Sequence, residues 1–453
     1  LTFINAHEEW ATLTVWREGL YMKNKILKYN AQIPRYTSYP TAPHFISKTP
    51  AEYAASLALL APHNPVSLYV HIPFCKEMCW YCGCHTTATR KYAPVEAYLS
   101  LMWREIRLTA DMIGRRMNVA HLHFGGGSPT MLHPDDFLRT MDVLREAFDF
   151  VSDAEIAIEA DPRGISYDKA KAYGQAGVNR ASFGIQDFSP VVQAAINRRQ
   201  DFATVEESVA LLRQFGINDI NFDLMYGLPL QTLDDIEKTV ALSLSLKPRR
   251  IAMFGYAHVP WMKKHMTLIH DEDLPDACAR IDQFSRAEKL LLEAGMQPVG
   301  LDHFAAENDS MLQALRSRTL ARNFQGYTTD ASSTLIGFGT SAISRMPDGF
   351  FQNTPHNVNY SAAILAGRLP VARGRLLEEE DRLRGDIIGQ LMCYLEVDIP
   401  AILVKHGFAP DRFDDILAGF TDMMTDGMVE LDRGYQGQSR SAAGSAGGRG
   451  AIR

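Results

Sequence analysis

From residue 66 to residue 295 the chain alternates without a break between strand-like and helix-like segments, and few folds satisfy that pattern. "VSLYVHIPF" (66–74) is β-rich, and "VEAYLSLMWREIRLTADMI" (95–113) repeats its apolar residues at helical spacing. "VAHLHFGGG" (119–127) leads to "DDFLRTMDVLREAF" (135–148), and "AEIAIEADP" (154–162) to "YDKAKAYGQAG" (167–177), which ends on a glycine suited to a helix C-cap. "RASFGIQ" (180–186) precedes "ATVEESVALLRQFG" (203–216). "INDINFDLMYG" (217–227) precedes "TLDDIEKTVALSLSL" (232–246), where Thr232 and Asp235 form a capping-box pattern. "RIAMFGYAHV" (250–259) and "CARIDQFSRAEKLLLEAG" (278–295) make the sixth unit. Six βα units in register predict a parallel sheet with covering helices, either open and doubly wound or a partial or full barrel.

A parallel sheet covered on both faces reads as nearly continuous apolar runs. These strands do not. Ile156 and Ile158 share one face, opposite Glu155, Glu159 and Asp161; Phe183 and Ile185 oppose Ser182 and Gln186. Ile220, Phe222 and Leu224 oppose Asn221 and Asp223, and Leu68, Val70 and Ile72 oppose Tyr69 and His71. The polar residues gather toward the C-terminal strand ends, where α/β folds place ligands. That face reads as a lumen for a polar ligand; the bland rival is a set of buried, mutually bonded side chains.

After about residue 305 the alternation stops, and 383–432 reads as short helices followed by a small strand. The predicted division is an N-terminal extension and substrate-side segment (1–50), the α/β domain (51–355), a smaller helical domain (356–435) that could take a winged-helix form, and a disordered Gly/Ser/Ala-rich tail (436–453). Met22 reads as a natural start, with residues 1–21 upstream of it. No apolar run reaches the ~20 residues of a membrane span, and no secretory signal pattern is evident at the N-terminus. The net charge of −7 argues against a broad nucleic-acid surface. A cytoplasmic, monomeric protein is expected.

"PFCKEMCWYCGC" (73–84) holds four of the chain's six cysteines: Cys75, Cys79, Cys82 and Cys84. Six cysteines are too few for a disulfide framework in a chain this long, and structural zinc would need a second ligand pair downstream. The three-then-two spacing of Cys75, Cys79 and Cys82 lets one loop wrap three corners of a [4Fe–4S] cluster, leaving the fourth iron open to a substrate or cofactor. Cys84 stands too close to reach that corner easily. It is either a hydrogen or proton donor, or a small packing group.

An open iron beside a polar lumen is the design of radical S-adenosylmethionine enzymes, and CxxxCxxC after the first strand is their signature. With "PRYTSYPTAPHF" (34–45), "FGGGSPT" (124–130), "EADPR" (159–163), "FGIQDF" (183–188), "FDLMYGLPLQT" (222–232) and "RNFQGYTT" (322–329), the chain resembles the oxygen-independent coproporphyrinogen III oxidase family over roughly residues 30–430. That resemblance implies a partial (β/α)6 radical-SAM barrel with a smaller C-terminal helical domain. It implies Cys75, Cys79 and Cys82 as cluster ligands, Cys84 as a cysteine that does not ligate, and Tyr69, Gly126 and Glu159 as contacts of the cluster-bound S-adenosylmethionine. A second S-adenosylmethionine would meet Tyr81, Gly127, Ser128, Gln186, Arg198, Asp223, Ala257 and Ile343, where Tyr81 often reads Phe and Ser128 often reads Thr.

Cys84, His71 and Gln325 are the candidate catalytic residues, His71 as a hydrogen-bonding group beside the cluster and Gln325, with Arg35, as a partner for substrate carboxylates. The three glycines of "GGGSPT" suit close approach of a ligand to the backbone. Asp223 and Glu159 suit ribose hydroxyls or an ammonium, or a lumen salt bridge. "LIGFGTSA" (335–342) imitates a dinucleotide fingerprint through Gly337, Gly339 and Ala342, but it lies outside any first βαβ unit and lacks the downstream acid. Close approach to the adenosyl cofactor explains those glycines equally well. The implied reaction turns the ring A and B propionates of coproporphyrinogen III into the vinyls of protoporphyrinogen IX, with an unidentified electron donor and acceptor. The rivals are a heme-binding or heme-transferring relative and a non-catalytic iron–sulfur scaffold.

Overall fold

The six strand-like segments are strands, and they neighbour one another in chain order. The computed structural model describes residues 25–29, 39–330 and 332–431; Arg35, residues 1–21 and the tail 436–453 lie outside these. In chain order the strands are β1 Ile46–Ser47, β2 Val66–Ile72, β3 Phe74–Cys75, β4 Thr87–Ala88, β5 Asn118–Gly126, β6 Asp149–Ala160, β7 Arg180–Gln186, β8 Asp219–Tyr226 and β9 Arg250–Gly255. They continue with β10 Gln297–Val299, β11 His303–Ala305, β12 Ala321–Asn323, β13 Gly326–Thr328, β14 Leu335–Phe338, β15 Ile343–Met346, β16 Gly349–Asn353 and β17 Val371–Leu376.

One 13-stranded sheet has the order β1-β17-β16-β15-β14-β2-β5-β6-β7-β8-β9-β11-β10. Pairing is parallel without interruption from β14 through β2 and β5 to β9. A doubly wound sheet reverses its strand order at a switch point. This one does not, and its edge strands β1 and β10 are not paired with each other. Of the predicted alternatives, the doubly wound sheet is set aside and a singly wound parallel sheet remains. Right-handed crossovers in a single direction bring the helices to one face and leave the other to the polar side chains.

Helices Ala93–Ile113, Pro134–Ala147, Tyr167–Gln175, Phe202–Gln214, Leu233–Ser245 and Ala277–Glu293 fall where the periodicity puts them. The Thr232–Asp235 capping box is formed, and Gly177 follows its helix in the left-handed region at φ 82°. The first of these helices buries Val95, Leu99, Met102, Ile106 and Ile113, at the three- and four-residue spacing of one face. Each such side chain contributes about 1.5–3 kcal/mol by leaving water. Leu99→Ala would open a cavity against the sheet at about 2–5 kcal/mol.

The chain divides into two compact units, Ala42–Gln313 with Asp330–Leu376, and Leu1–Thr41 with Ala314–Thr329 and Leu377–Arg453. The larger unit extends past the expected limit at 355 because β17 pairs with β16 along five residue pairs. The parallel strand β14 and the antiparallel β15–β17 were not anticipated; four to six residues each, they carry too little pattern to separate from loop. The smaller unit contains the β12–β13 hairpin and helices Glu379–Tyr394, Ile399–Lys405, Asp414–Ala418 and Thr421–Thr425. They enclose Leu383, Val397, Ile399, Ile402, Leu403 and Phe413. The expected closing strand is reduced to an isolated bridge at Leu431 among the described residues.

Candidate active site

The thiol loop leaves the C-terminal end of β2, and a small clip closes its base. β3 pairs with β4, and the main-chain N–H of Thr89 bonds the Cys75 carbonyl at 2.8 Å. All six cysteines are free thiols. Each expected ligand sulfur accepts a hydrogen bond from a different group: Thr86 Oγ1 to Cys75 at 3.2 Å, Arg198 Nη1 to Cys79 at 3.6 Å, and the Cys84 N–H to Cys82 at 3.4 Å. The loop is moored from outside as well. Asn197 Nδ2 donates to the Met78 carbonyl at 2.8 Å, and His265 Nε2 to that of Cys82 at 2.7 Å. Lys263 Nζ donates to the Cys84 carbonyl at 3.1 Å.

The donor set fits an iron–sulfur cluster. No three His, Cys, Asp or Glu side chains among the described residues form a ready single-metal site. Three free thiols with hydrogen bonds to their sulfurs are the donors a [4Fe–4S] cluster takes. Bonding from the Cys84 side chain and N–H brings the Cys82 thiol down to about 6, while Cys84, donating to Cys82, is pushed well above the usual thiol range. Burial raises Cys75 to about 11.

Glu159, near the end of β6, gathers the expected contacts of the first cofactor. Its carboxylate accepts from the Gly126 N–H at 3.1 Å and from His123 Nε2 at 3.1 Å. Tyr69 lies beside His123 in register, and its hydroxyl bonds His71 Nδ1 at 3.0 Å. His71 Nε2 donates to the His85 carbonyl at 3.0 Å, and burial lowers the imidazole pKa to about 4. His71 is thus neutral and engaged at both nitrogens.

The glycines have a reason that the sequence did not show. A Cβ on Gly126 (φ 109°) would lie 2.5 Å from the His71 ring, and one on Gly127 2.7 Å from the Phe74 carbonyl. The turn is glycine-rich because the protein's own site groups crowd it. The same holds for the false fingerprint: Cβ atoms on Gly337 and Gly339 would stand 2.8 Å from the Ile343 carbonyl and 2.7 Å from that of His71.

Tyr81, Arg198, Gln186 and Asp223 are the main expected contacts of a second cofactor. Arg198 is 7% exposed and donates to the Gly184 carbonyl through Nε at 3.1 Å. Its Nη1 lies 3.6 Å from Asp161 Oδ2. Burial opposes ionisation of Asp161, yet Arg198 and Arg163 hold its carboxyl at about 2. Gln186 adopts a left-handed φ of 67°, which a non-glycine residue rarely takes, and its amide packs against Gly184. Asp223 is raised to about 7, by burial first and then by the Glu159 charge. Ser128 is buried and its hydroxyl is shared with Thr130 Oγ1 at 2.7 Å. Ala257 is exposed just beyond β9, and Ile343 opens β15. Gln325 belongs to the smaller unit, exposed on the β12–β13 turn, where Asn323 Nδ2 reaches its amide oxygen at 3.4 Å.

The polar face divides along its length. Toward the N-terminal strand ends it is the bland alternative: Arg180 Nε bonds Glu155 at 3.0 Å and its Nη2 bonds Asp219 at 3.2 Å, and Arg250 bonds Asp309 at 2.7 Å. Toward the C-terminal ends it carries Tyr69, Glu159 and Asp223. The sequence reading named Asp161 only as a polar-face residue and placed no role on Thr86, Lys263 or His265. These act through the loop's sulfurs and carbonyls, contacts that no spacing reveals. His121 and His123 lie on β5 in the interior of the sheet.

Comparison with known proteins decides among the rival readings. The Radical SAM superfamily model matches residues 69–243. A curated oxygen-independent coproporphyrinogen III oxidase of Bradyrhizobium diazoefficiens is 48% identical over 402 residues, 88% of this chain and 89% of that protein. The chain belongs to the oxygen-independent coproporphyrinogen III oxidase family. Its Escherichia coli member is 38% identical over 90% of this chain and 89% of its own length. The solved structure of coproporphyrinogen III oxidase (HemN) from Escherichia coli, described as a radical SAM enzyme, superposes with a TM-score of 0.84 at 36% identity, covering 90% of this chain and 93% of that one. No described helix is long and apolar enough to cross a membrane.

Proposed function

We propose that the chain converts coproporphyrinogen III to protoporphyrinogen IX without oxygen, by oxidative decarboxylation of the ring A and B propionates in heme biosynthesis. The observation that carries this is the trio of hydrogen-bonded thiols set beside Glu159 and Gly126, in a chain that shares 48% identity with a family member over nearly its whole length. Cys75, Cys79 and Cys82 would hold the cluster, which with S-adenosylmethionine supplies a 5′-deoxyadenosyl radical when both are bound. Each reacting propionate loses a hydrogen atom from its β-carbon, then carbon dioxide and one electron, and leaves as a vinyl.

The chain's own residues do the positioning. Tyr69, Gly126 and Glu159 would orient the cluster-bound cofactor. Tyr81, Gly127, Ser128, Gln186, Arg198, Asp223, Ala257 and Ile343 would receive a second one. The distinct charge settings of the two groups support this count: Glu159 is bonded by Gly126 and His123, whereas Arg198 stays charged between Asp161 and Cys79. Cys84, bonded to Cys82 and exposed, is the proposed hydrogen or proton donor to the substrate. The donor and acceptor of electrons are unassigned. Anaerobic incubation of cluster-loaded protein with coproporphyrinogen III, analysed for vinyl products and 5′-deoxyadenosine, tests the function. Deoxyadenosine without vinyl products would remove it.

A further inference from the structure

The family reaction requires recognition of a largely apolar macrocycle, four pyrroles joined by saturated carbons and ringed by carboxylates, and the residues that meet it are unassigned in this chain. The segment after β9 has the chemistry. Met266 and Ile269 anchor it in an apolar cluster flanked by Trp80 and Tyr81 of the thiol loop, and Lys263 and His265 bond the Cys84 and Cys82 carbonyls. Between anchor and strand, Trp261 and Met262 point outward at 68% and 72% exposure. Lys264 is exposed, and neither Lys263 nor Lys264 is in an ion pair among the described residues. Burial lowers the His85 pKa, a hydrogen bond with the Pro355 backbone opposes this, and Lys263 and His356 lower it further. An exposed indole and thioether thus stand next to two lysines outside any ion pair, on a segment tied to the thiol loop.

We infer that Trp261, Met262, Lys263 and Lys264 form the ledge on which the porphyrinogen lies, its ring face on Trp261 and Met262 and its propionates on the lysines, with a reacting side chain toward Cys84. This rests on the function proposed above. It commits to the substrate rather than to a protein electron donor, because the lysines complement the ring's carboxylates and Lys263 is bonded to the Cys84 carbonyl.

The test uses cluster-loaded protein and two probes: binding of coproporphyrin III, the fluorescent oxidised ring, and turnover of coproporphyrinogen III with a chemical reductant. Trp261→Ala and Lys264→Gln should each weaken porphyrin binding and raise the KM for porphyrinogen by about ten-fold. Lys264→Arg should restore most of the loss, and iron content and the KM for S-adenosylmethionine should stay at parental values. Both residues are exposed, so folding should survive. Unchanged porphyrin affinity and KM in both variants overturn the ledge while leaving the function standing. A defect seen only with a protein reductant overturns it in favour of a donor-docking surface. An unsubstituted chain that neither binds nor converts the ring overturns the function, and the ledge with it.

Discussion

Cys84 stands two residues from Cys82 and donates its N–H to that sulfur, so the fourth thiol is spatially part of the loop while its residue is exposed. Single replacement of Cys75, Cys79 or Cys82 by Ser should abolish the cluster, measured as iron content and visible absorbance. Cys84→Ser should keep the cluster and still cleave S-adenosylmethionine, but form little vinyl product. A packing role for Cys84 would instead cost of order 1 kcal/mol with normal product per cluster. Thr86 offers a milder test. Removing its hydrogen bond to Cys75 as Thr86→Val should make the cluster's reduction potential more negative, since such bonds stabilise the reduced, more anionic state. A potential unchanged by electrochemical titration would show that the 3.2 Å contact does not persist in the loaded protein.

At the scale of elements, helix Ala93–Ile113 does more than cover the sheet. Its Glu105, 2% exposed, accepts from the Gly339 N–H at 2.8 Å, Asn353 Nδ2 at 2.6 Å and the Tyr360 hydroxyl at 2.6 Å, with no cation bonded to it among the described residues. Burial outweighs these donors and raises its carboxyl to about 7. A folded pKa above the unfolded value favours the folded state at low pH, because there the native state holds the proton. That contribution is full below about 4.5 and disappears as pH rises through 7. Relative to Glu105→Gln, the unsubstituted protein should therefore lose about 3 kcal/mol of stability between pH 4.5 and 7.5. Denaturant titrations of both proteins at several pH values would check it; parallel curves would mean that Glu105 titrates normally. The parallel core from β2 to β9 and its helices were legible because period-two and period-3.6 patterns persist there over many residues. β14–β17 were not, being short, and neither was the Glu105 network, which joins positions 105, 339, 353 and 360. The three cysteines proposed as ligands stood out by their spacing, whereas the contacts of Arg198, Thr86, Lys263 and His265 with the loop arise only through the fold.

For the whole molecule, the lumen's division explains why so many polar residues line one sheet face. The Arg180–Glu155–Asp219 and Arg250–Asp309 pairs close one end with satisfied charges. The end with Glu159, Asp223 and Arg198 is the one proposed to receive the cofactors. The two cofactor positions proposed there should bind two S-adenosylmethionine molecules per cluster-loaded chain; saturation at one in equilibrium binding would refute the second site. The fold's parallel core was anticipated, and the thiol loop's chemistry with it, because both are local patterns; the division of the polar face was not, since it depends on which strands carry opposite charges at the same level. The most direct measurement is anaerobic product analysis. Cluster-loaded protein given coproporphyrinogen III, S-adenosylmethionine and a reductant should yield protoporphyrinogen IX, with carbon dioxide and 5′-deoxyadenosine each released twice per ring. Protein that cleaves S-adenosylmethionine under these conditions yet leaves all four propionates intact would contradict the assignment.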